Sequence, residues 1–217
     1  MNIVVLTKTK KNYSNNNLPL FGINDILFKT FDDRPNLLTK REVRIQILAD
    51  LELPKNGVIW DIGAGCGSIG LEALKLRPNL DLFCIDKRIG SKALILENSK
   101  RLGVKPKSIF EEDIFETFKT RNFSSFEKPN RLVIGGCDKK TKLEIINKLA
   151  QGMSIGDIIV IPIIDIQTIK ELKEELEYKN FKTIVNLIQT YKSLSIAEGI
   201  RLEPNNPVFL LKGKKII

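Results

Sequence analysis

The stretch VIWDIGAGCGSIG, residues 58–70, decides the fold of this chain. Its first three residues are apolar and β-prone, and they are followed by Asp61 and a glycine cluster, which is the pattern of a buried strand that leads into a loop. Glycines let the backbone turn sharply and approach a ligand closely, and a helix that follows them offers free amides. We therefore predict a ligand-binding strand–loop–helix unit.

Strand and helix signals alternate on both sides of this unit. Thr39 and Thr141 each stand three residues before a glutamate in the capping-box pattern, which predicts helices that begin at these two positions. Strands that alternate with helices indicate a parallel sheet, and two closing strands joined by a loop predict an antiparallel last strand. The predicted strands are 58–60, 82–85, 107–110, 131–134, 158–164, 183–188 and 208–212; the predicted helices are 40–51, 91–102, 141–150 and 167–178.

Length and composition fit one soluble α/β domain, which we place at residues 1–217. The chain has 217 residues, of which 42% are hydrophobic and 28% charged. Residues 1–38 are rich in Asn, Pro and Asp, and we expect them to form an irregular N-terminal segment that docks near the active site. The longest apolar run is residues 158–164, too short to span a membrane, and the N-terminus has no secretory pattern, so we expect a cytoplasmic protein.

The residue counts exclude several kinds of chemistry. The chain has no histidine, which rules out Ser-His-Asp and Cys-His nucleophilic catalysis and histidine-bound zinc. Its three cysteines are widely spaced and odd in number, so they predict neither a disulfide framework nor a metal site. Catalysis must therefore depend on a cofactor or on positioning of the reactants.

The net charge of +9 raises the question of a nucleic-acid partner. Six of these charges belong to lysines near the two termini, which we expect to lie in flexible tails, so +3 remains for the body of the protein. No basic stripe with interleaved aromatic residues is present. We therefore predict no specific nucleic-acid partner. The six terminal lysines are Lys8, Lys10, Lys11, Lys212, Lys214 and Lys215.

Three aspartates indicate which ligand the glycine loop binds. The spacing Gly65-x-Gly67-x-x-Gly70, with Asp86 further on, also satisfies the dinucleotide fingerprint, so a nicotinamide-dependent oxidoreductase is an alternative. Asp61 would repel a pyrophosphate but would suit the ammonium of S-adenosylmethionine. Asp86, at the end of the second strand, is placed to bind both ribose hydroxyls. Asp113 could face the adenine amine, or could simply be a helix N-cap.

Several motifs resemble a known family. DIGAGCGSIGLEA, FCID and EEDIF resemble the class I S-adenosylmethionine methyltransferases. FGINDILF, LLTKREVR, the Gly135–Gly136 pair and NPVFLL resemble the decarboxylating cobalt-precorrin (carbon-15) methyltransferases of corrin (cobalamin) biosynthesis, and this resemblance runs from about Gly22 to Leu211. Cys66, Cys137–Asp138 and Pro162 depart from the family pattern.

The resemblance implies a Rossmann-like class I methyltransferase fold, a three-layer sandwich around a mostly parallel seven-stranded sheet with an antiparallel last strand. It implies a transferase that uses S-adenosyl-L-methionine to methylate a meso carbon of a precorrin or cobalt-precorrin tetrapyrrole and that decarboxylates a ring acetate. It also implies a homo-oligomer, a tetramer in this family, with no membrane partner.

The resemblance assigns site residues as well, although it identifies no catalytic acid or base. It places Gly135 and Gly136 against the substrate, and Arg44, Lys192 and Arg201 are candidates to bind the carboxylates of the ring, or are solvated surface charges. The cofactor-binding residues, together with Asp61, are Thr39, Gly63, Ala64, Gly65, Cys66, Gly67, Asp86, Asp113 and Ile114.

Further alternatives are a methyltransferase that acts on RNA or DNA, an S-adenosylmethionine methyltransferase that acts on a different small molecule, and a non-catalytic binding module. Amino-group methyltransferases of nucleic acids carry a polar-Pro-Pro-aromatic motif after the fourth strand, where this chain reads Ile134-Gly135-Gly136-Cys137. Asn206-Pro207-Val208-Phe209 is similar to that motif but comes too late in the chain. The binding module is suggested by the departures near Gly136.

Overall fold

The computed structural model describes residues 18–35, 37–120 and 127–217. Within them, a short 3-10 helix, Asp25–Leu27, precedes the regular elements. The strands are β1 Gly57–Ile62, β2 Leu80–Ile85, β3 Ser108–Phe110, β4 Arg131–Ile134, β5 Ile158–Ile163, β6 Phe181–Ile188, β7 Tyr191–Ile196, β8 Gly199–Pro204 and β9 Val208–Lys215. The helices are α1 Arg41–Asp50, α2 Ser68–Leu76, α3 Ser91–Leu102, α4 Ile114–Thr120, α5 Lys139–Leu149 and α6 Ile166–Tyr178.

Seven strands form one sheet in the order β3-β2-β1-β4-β5-β9-β6. The first five strands in the chain pair in parallel, and β9 lies antiparallel between β5 and β6. This arrangement confirms the predicted mostly parallel sheet with an antiparallel last strand. The order reverses between β1 and β4, and in open α/β sheets ligands bind beyond the carboxyl ends of the strands at such a point.

Helices cover both faces of the sheet. Along β5, Ile158 and Val160 belong to one apolar cluster, whereas Ile159 and Ile161 belong to another, as the two-residue period of a strand requires. The first cluster includes α1, α2 and α3, and the second includes α4, α5 and α6. The sheet is therefore the middle layer of the predicted three-layer sandwich. Across the described ranges, no helix is long and apolar enough to span a membrane.

Two predicted helix starts are wrong in detail. The N-cap of α1 is Lys40, which makes no side-chain capping bond, so Thr39 does not cap this helix. The N-cap of α5 is Asp138, whose carboxylate accepts hydrogen bonds from the amide (2.9 Å) and the hydroxyl (2.8 Å) of Thr141. Thr141 therefore lies inside the first turn, because the acid three residues before it is the stronger acceptor.

The C-terminal part of the chain also differs from its prediction. The three C-terminal lysines assigned to a flexible tail belong to β9, where Lys212 and Lys214 both pair with Glu52. The connection predicted as a loop contains the β7–β8 hairpin, which forms a separate two-stranded sheet. The N-terminal lysines, residues 8, 10 and 11, lie outside the described residues.

Candidate active site

The glycine loop, residues 63–67, joins β1 to α2 and requires glycine for two reasons. Gly63, Gly65 and Gly67 have φ values of 71°, 58° and 78°, in the left-handed region that strains residues with a Cβ. A Cβ on Gly63 would also lie 2.9 Å from the amide nitrogen of Gly136. The loop therefore packs directly against the end of β4, and no side chain fits between them.

Asp86 is held in a defined orientation at the end of β2. One of its carboxylate oxygens accepts the amide of Gly65 at 2.7 Å, and the other accepts the amide of Arg88 at 2.8 Å. Each carboxylate oxygen has further acceptor capacity beyond one hydrogen bond. The carboxylate is thus fixed to the glycine loop while it can still bind hydroxyl donors from a ligand.

Asp113 lies between β3 and α4, immediately before the first residue of the helix. Its carboxylate accepts the amide of Phe115 at 2.9 Å, and its carbonyl accepts the amide of Thr117 at 3.0 Å. This is the geometry of a helix N-cap, one of the two predicted roles. Asp113 also lines the cleft described next, so the cap does not remove it from the site.

A surface cleft lies along the carboxyl ends of β1, β2, β3 and β4. It brings together five residues predicted for the site: Gly63, Asp86, Asp113, Ile114 and Gly136. Sequence reasoning missed the other seven, although five of them are the last residue of a strand or lie within three residues after one, and that position was the available signal. These seven residues are Ile62, Ile85, Lys87, Glu112, Cys137, Asp138 and Thr141.

Asp61, just before the loop, and Cys66, within it, are both buried. Asp61 is 1% exposed and accepts the amide of Gly70 at 3.0 Å, so it faces α2 and does not line the cleft. Burial, with a smaller contribution from Asp86, raises its pKa to about 7. Burial likewise raises the pKa of the Cys66 thiol to about 11. Asp61 therefore supports the loop from behind, whereas direct contact with a ligand was predicted.

Arg44 has a different role from the predicted one. Its guanidinium is fully buried and pairs with Glu72 at 3.1 Å and Asp25 at 2.7 Å. It also donates to the carbonyls of Ile23 and Thr39. A fully enclosed guanidinium cannot bind a substrate carboxylate, and its geometry is that of a clamp between α1, α2 and the N-terminal segment.

The other predicted site residues are dispersed. Thr39 is partly buried and holds the Arg44 guanidinium through its carbonyl, at a distance from the cleft lining. Gly135 borders the site, because its amide bonds to the carbonyl of Ile62 at 2.7 Å. Lys192 and Arg201 are exposed on the β7–β8 hairpin. Ala64 and Gly65 are part of the loop, with open space where a Cβ of Gly65 would be.

After β4, the thiol of Cys137 and the carboxylate of Asp138 line the cleft, and the amine of Lys142 lies behind Cys137. Asp138 has a lowered pKa because it accepts two hydrogen bonds from Thr141. Burial raises the pKa of the Cys137 thiol and lowers the pKa of Lys142, whose ammonium donates to the Cys137 carbonyl. In the part of the chain that the structure describes, no cluster of three or more His, Cys, Asp or Glu could hold a metal ion.

Comparisons with known proteins agree with this geometry. A family model described as a precorrin methyltransferase domain matches residues 30–214. A probable cobalt-precorrin-6B C(15)-methyltransferase (decarboxylating) of Saccharolobus solfataricus is 30% identical over 197 residues, covering 89% of this chain and 96% of that protein. A crystal structure of precorrin-6y C5,15-methyltransferase from Geobacter metallireducens has a TM-score of 0.78 and 28% identity, covering 92% and 100% of the two chains. Precorrin 8w decarboxylase of Methanobacterium thermoautotrophicum shares the fold, with a TM-score of 0.76, 24% identity and coverages of 88% and 98%.

Proposed function

Because this chain belongs to the precorrin methyltransferase family, we propose that it binds S-adenosylmethionine in the β1–β4 cleft and methylates a tetrapyrrole there. The chain is a decarboxylating methyltransferase of corrin-ring biosynthesis, and the resemblance predicted from its sequence is confirmed. The family assignment favours neither the nucleic-acid methyltransferase nor the oxidoreductase alternative. The cofactor and the roles of individual residues are our proposal.

The orientation of Asp86 carries this proposal. Two backbone amides fix its carboxylate at the edge of the cleft. In this position its two oxygens can accept hydrogen bonds from the two adjacent hydroxyls of a ribose. Gly65 faces open space where a side chain would project, so the cofactor can lie directly on the loop backbone. Hydrogen bonds to a carboxylate are stronger than those between neutral groups. Asp86 therefore binds the ribose.

The adenine ring fits between apolar and acidic groups further along the cleft. Ile85 and Ile114 supply apolar surface, and Asp113 supplies a carboxylate at the same end. Asp113 uses one oxygen to cap α4, and we assign the other to the adenine amino group. The cofactor's amino-acid end then lies over the glycine loop, which Asp61 supports from behind through the Gly70 amide.

The substrate approaches at the end of β4. S-adenosylmethionine supplies an electrophilic methyl group when it is bound. Gly63 and Gly136 are in close contact and neither has a side chain, so the surface here consists of backbone atoms. A flat macrocycle can therefore approach closely. Because the chain has no histidine, holding the two reactants in line is the main contribution the protein makes to methyl transfer.

Calorimetry with S-adenosylhomocysteine and NAD tests the cofactor assignment. We expect S-adenosylhomocysteine to bind and NAD not to bind. Asp86→Asn should weaken binding by about 10- to 100-fold, because loss of a charged hydrogen-bond acceptor costs on the order of 1–3 kcal/mol. Asp81→Asn is the matched control, since Asp81 lies on β2, the strand that Asp86 follows, and pairs with Lys107 on the surface. NAD binding, or unchanged affinity in Asp86→Asn, would contradict the assignment.

We also propose that the chain is a homo-oligomer assembled through the β7–β8 hairpin. Every residue of both strands is exposed. Three cross-strand pairs lie on one face of the hairpin, because directly paired residues point to the same side of a sheet. This face carries four apolar or aromatic side chains, Tyr191, Ile200, Leu202 and Pro204, and two serines. An exposed two-stranded hairpin is only marginally stable by itself, and a second copy of the same face would bury its apolar side chains.

A further inference from the structure

We propose that Asn98 is a positioning residue that couples docking of the N-terminal segment to the conformation of the cofactor loop. The segment comprises residues 18–35. The inference rests on the cofactor site proposed above. It predicts that ligand binding at the glycine loop stabilises the segment and that docking of the segment raises affinity for the ligand.

The N-terminal segment depends on other elements for its structure. Its own regular structure is limited to the 3-10 helix Asp25–Leu27 and the single β-bridge between Phe31 and Arg34. The carboxylate of Glu72, in α2, accepts the amides of Gly22 and Ile23 and so holds the first part of the segment. The conformation of the segment therefore depends on contacts with other elements, among them α2, which follows the glycine loop.

Asn98 makes a further attachment, and it joins the segment to the loop. Its side-chain oxygen accepts the amide of Lys29 at 2.8 Å. Its side-chain nitrogen donates to the carbonyl of Lys29 at 2.9 Å and to the carbonyl of Cys66 at 3.0 Å. Asn98 is fully buried, so water cannot replace these bonds without a local opening.

The bonding pattern fixes the orientation of the Asn98 amide. An amide group has one oxygen acceptor and two N–H donors, and here both donors and the acceptor are used. A flipped amide would place its oxygen against two carbonyls. Aspartate could keep the bond from the Lys29 amide, but it would set a carboxylate against those same carbonyls. The position therefore requires asparagine to make all three bonds.

Cys66 stands between Gly65 and Gly67, two glycines that define the conformation of the loop. Gly65 donates its amide to Asp86, and Gly67 has the left-handed backbone from which α2 begins. Arg88 forms a second connection, because its amide donates to Asp86 while its guanidinium lies 4.9 Å from the centre of the Phe31 ring and 3.6 Å from Asp33. Both routes connect the segment to the carboxylate that we assign to the ribose.

Linked equilibria are reciprocal, so the coupling can be measured from both ends. Hydrogen exchange of the Lys29 amide reports segment docking, since Asn98 holds this N–H directly. In the wild type, we expect S-adenosylhomocysteine to slow this exchange by at least several-fold. In Asn98→Ala, the amide should exchange quickly whether or not the ligand is present, and the dissociation constant for the ligand should rise by about tenfold.

Two further variants complete the experiment. Ser99→Ala is the matched control, because Ser99 is the next buried residue of α3 and its hydroxyl bonds only within its own helix. It should keep both the affinity and the ligand-dependent protection of Lys29. Phe31→Ala serves if Asn98→Ala does not fold, and it should weaken binding by a few-fold through loss of the Arg88 contact.

The outcomes separate this inference from the proposed function. Failure of the wild type to bind S-adenosylhomocysteine would overturn the cofactor site and the inference together. Binding without any change in Lys29 exchange would overturn the coupling alone. Equal loss of affinity in Ser99→Ala and Asn98→Ala would also overturn it, because the effect would then be a general weakening of α3.

Discussion

At the scale of single residues, Asp61 shows how burial can change the role of a carboxylate. Its oxygen accepts the Gly70 amide, and its pKa is raised from 3.8 to about 7, mainly by burial. A raised pKa in the folded state means that folding favours the protonated form. The stability that this provides is complete below the unfolded-state pKa and is lost as pH rises through about 7.

Asp61→Asn should therefore be more stable than the wild type at neutral and alkaline pH. The asparagine oxygen can still accept the Gly70 amide, but the side chain carries no charge to bury. We expect the difference in unfolding free energy to grow between pH 4 and 7, to a few kcal/mol, at about 1.4 kcal/mol per unit of pKa shift. Urea unfolding between pH 5 and 8 measures it, and a difference independent of pH would contradict this explanation.

Arg44 shows why some residue roles could not be predicted from the sequence. The predicted role rested on its charge and on the motif around it, whereas its actual partner Glu72 lies 28 residues further along the chain. Burial of both groups results from packing of α1 on α2 and of the N-terminal segment on both. By contrast, Asp86 and Asp113 were predicted to lie at the site because Asp86 directly follows β2 and Asp113 comes three residues after β3.

At the scale of elements, the predictions succeeded where the signals were local. The predicted bounds of α3 and β4 match the structure. The end of α3 at Leu102 was predictable because Gly103 follows it as the C-cap with a φ of 68°, the usual C-terminal glycine signal. The β7–β8 hairpin was missed because its residues are exposed and β7 carries both apolar and polar residues on each face, so it shows no clean alternation. The assignment of lysines to a C-terminal tail failed because charge alone does not show that β9 continues to Lys215.

Glu52 anchors β9 to the end of α1, and this contact gives a prediction about elements. Its two carboxylate oxygens each bond to a lysine of β9 at 2.7 Å, and these bonds lower its pKa to about 2. A lowered pKa contributes stability that is present above the unfolded-state value of 4.5 and is lost as pH falls toward 2.

Glu52→Gln should destabilise the protein modestly at neutral pH, by about 0.5–1 kcal/mol, because the carboxylate is largely exposed to solvent. Glutamine has the same side-chain length as glutamate. Both residues have a Cβ, so the strain of the positive φ at this position, 45°, is the same in the variant. Thermal unfolding at low and high salt measures the loss. Added salt should shrink the difference. A loss that salt does not change would indicate that packing, and not charge, holds β9 here.

At the scale of the whole molecule, the basic charge and the hairpin bear on assembly. Three of the lysines that contribute to the +9 net charge lie in β9, and two of these form ion pairs with Glu52. They are therefore less available to attract nucleic acid than lysines in a free tail. The hairpin, in contrast, presents an apolar face that nothing else in the described parts of the chain covers.

Leu202→Lys tests whether that face joins copies of the chain. Leu202 is 64% exposed and pairs across the strands with Ser193, so a lysine fits the monomer without strain. In an assembly, it would bring like charges from neighbouring copies together on a desolvated face, which costs several kcal/mol. We expect light scattering to give the mass of four chains for the wild type and a lower mass for Leu202→Lys. Glu203→Gln, on the opposite face, should keep the wild-type mass. A monomeric wild type, or an unchanged mass in Leu202→Lys, would show that the hairpin is not the interface.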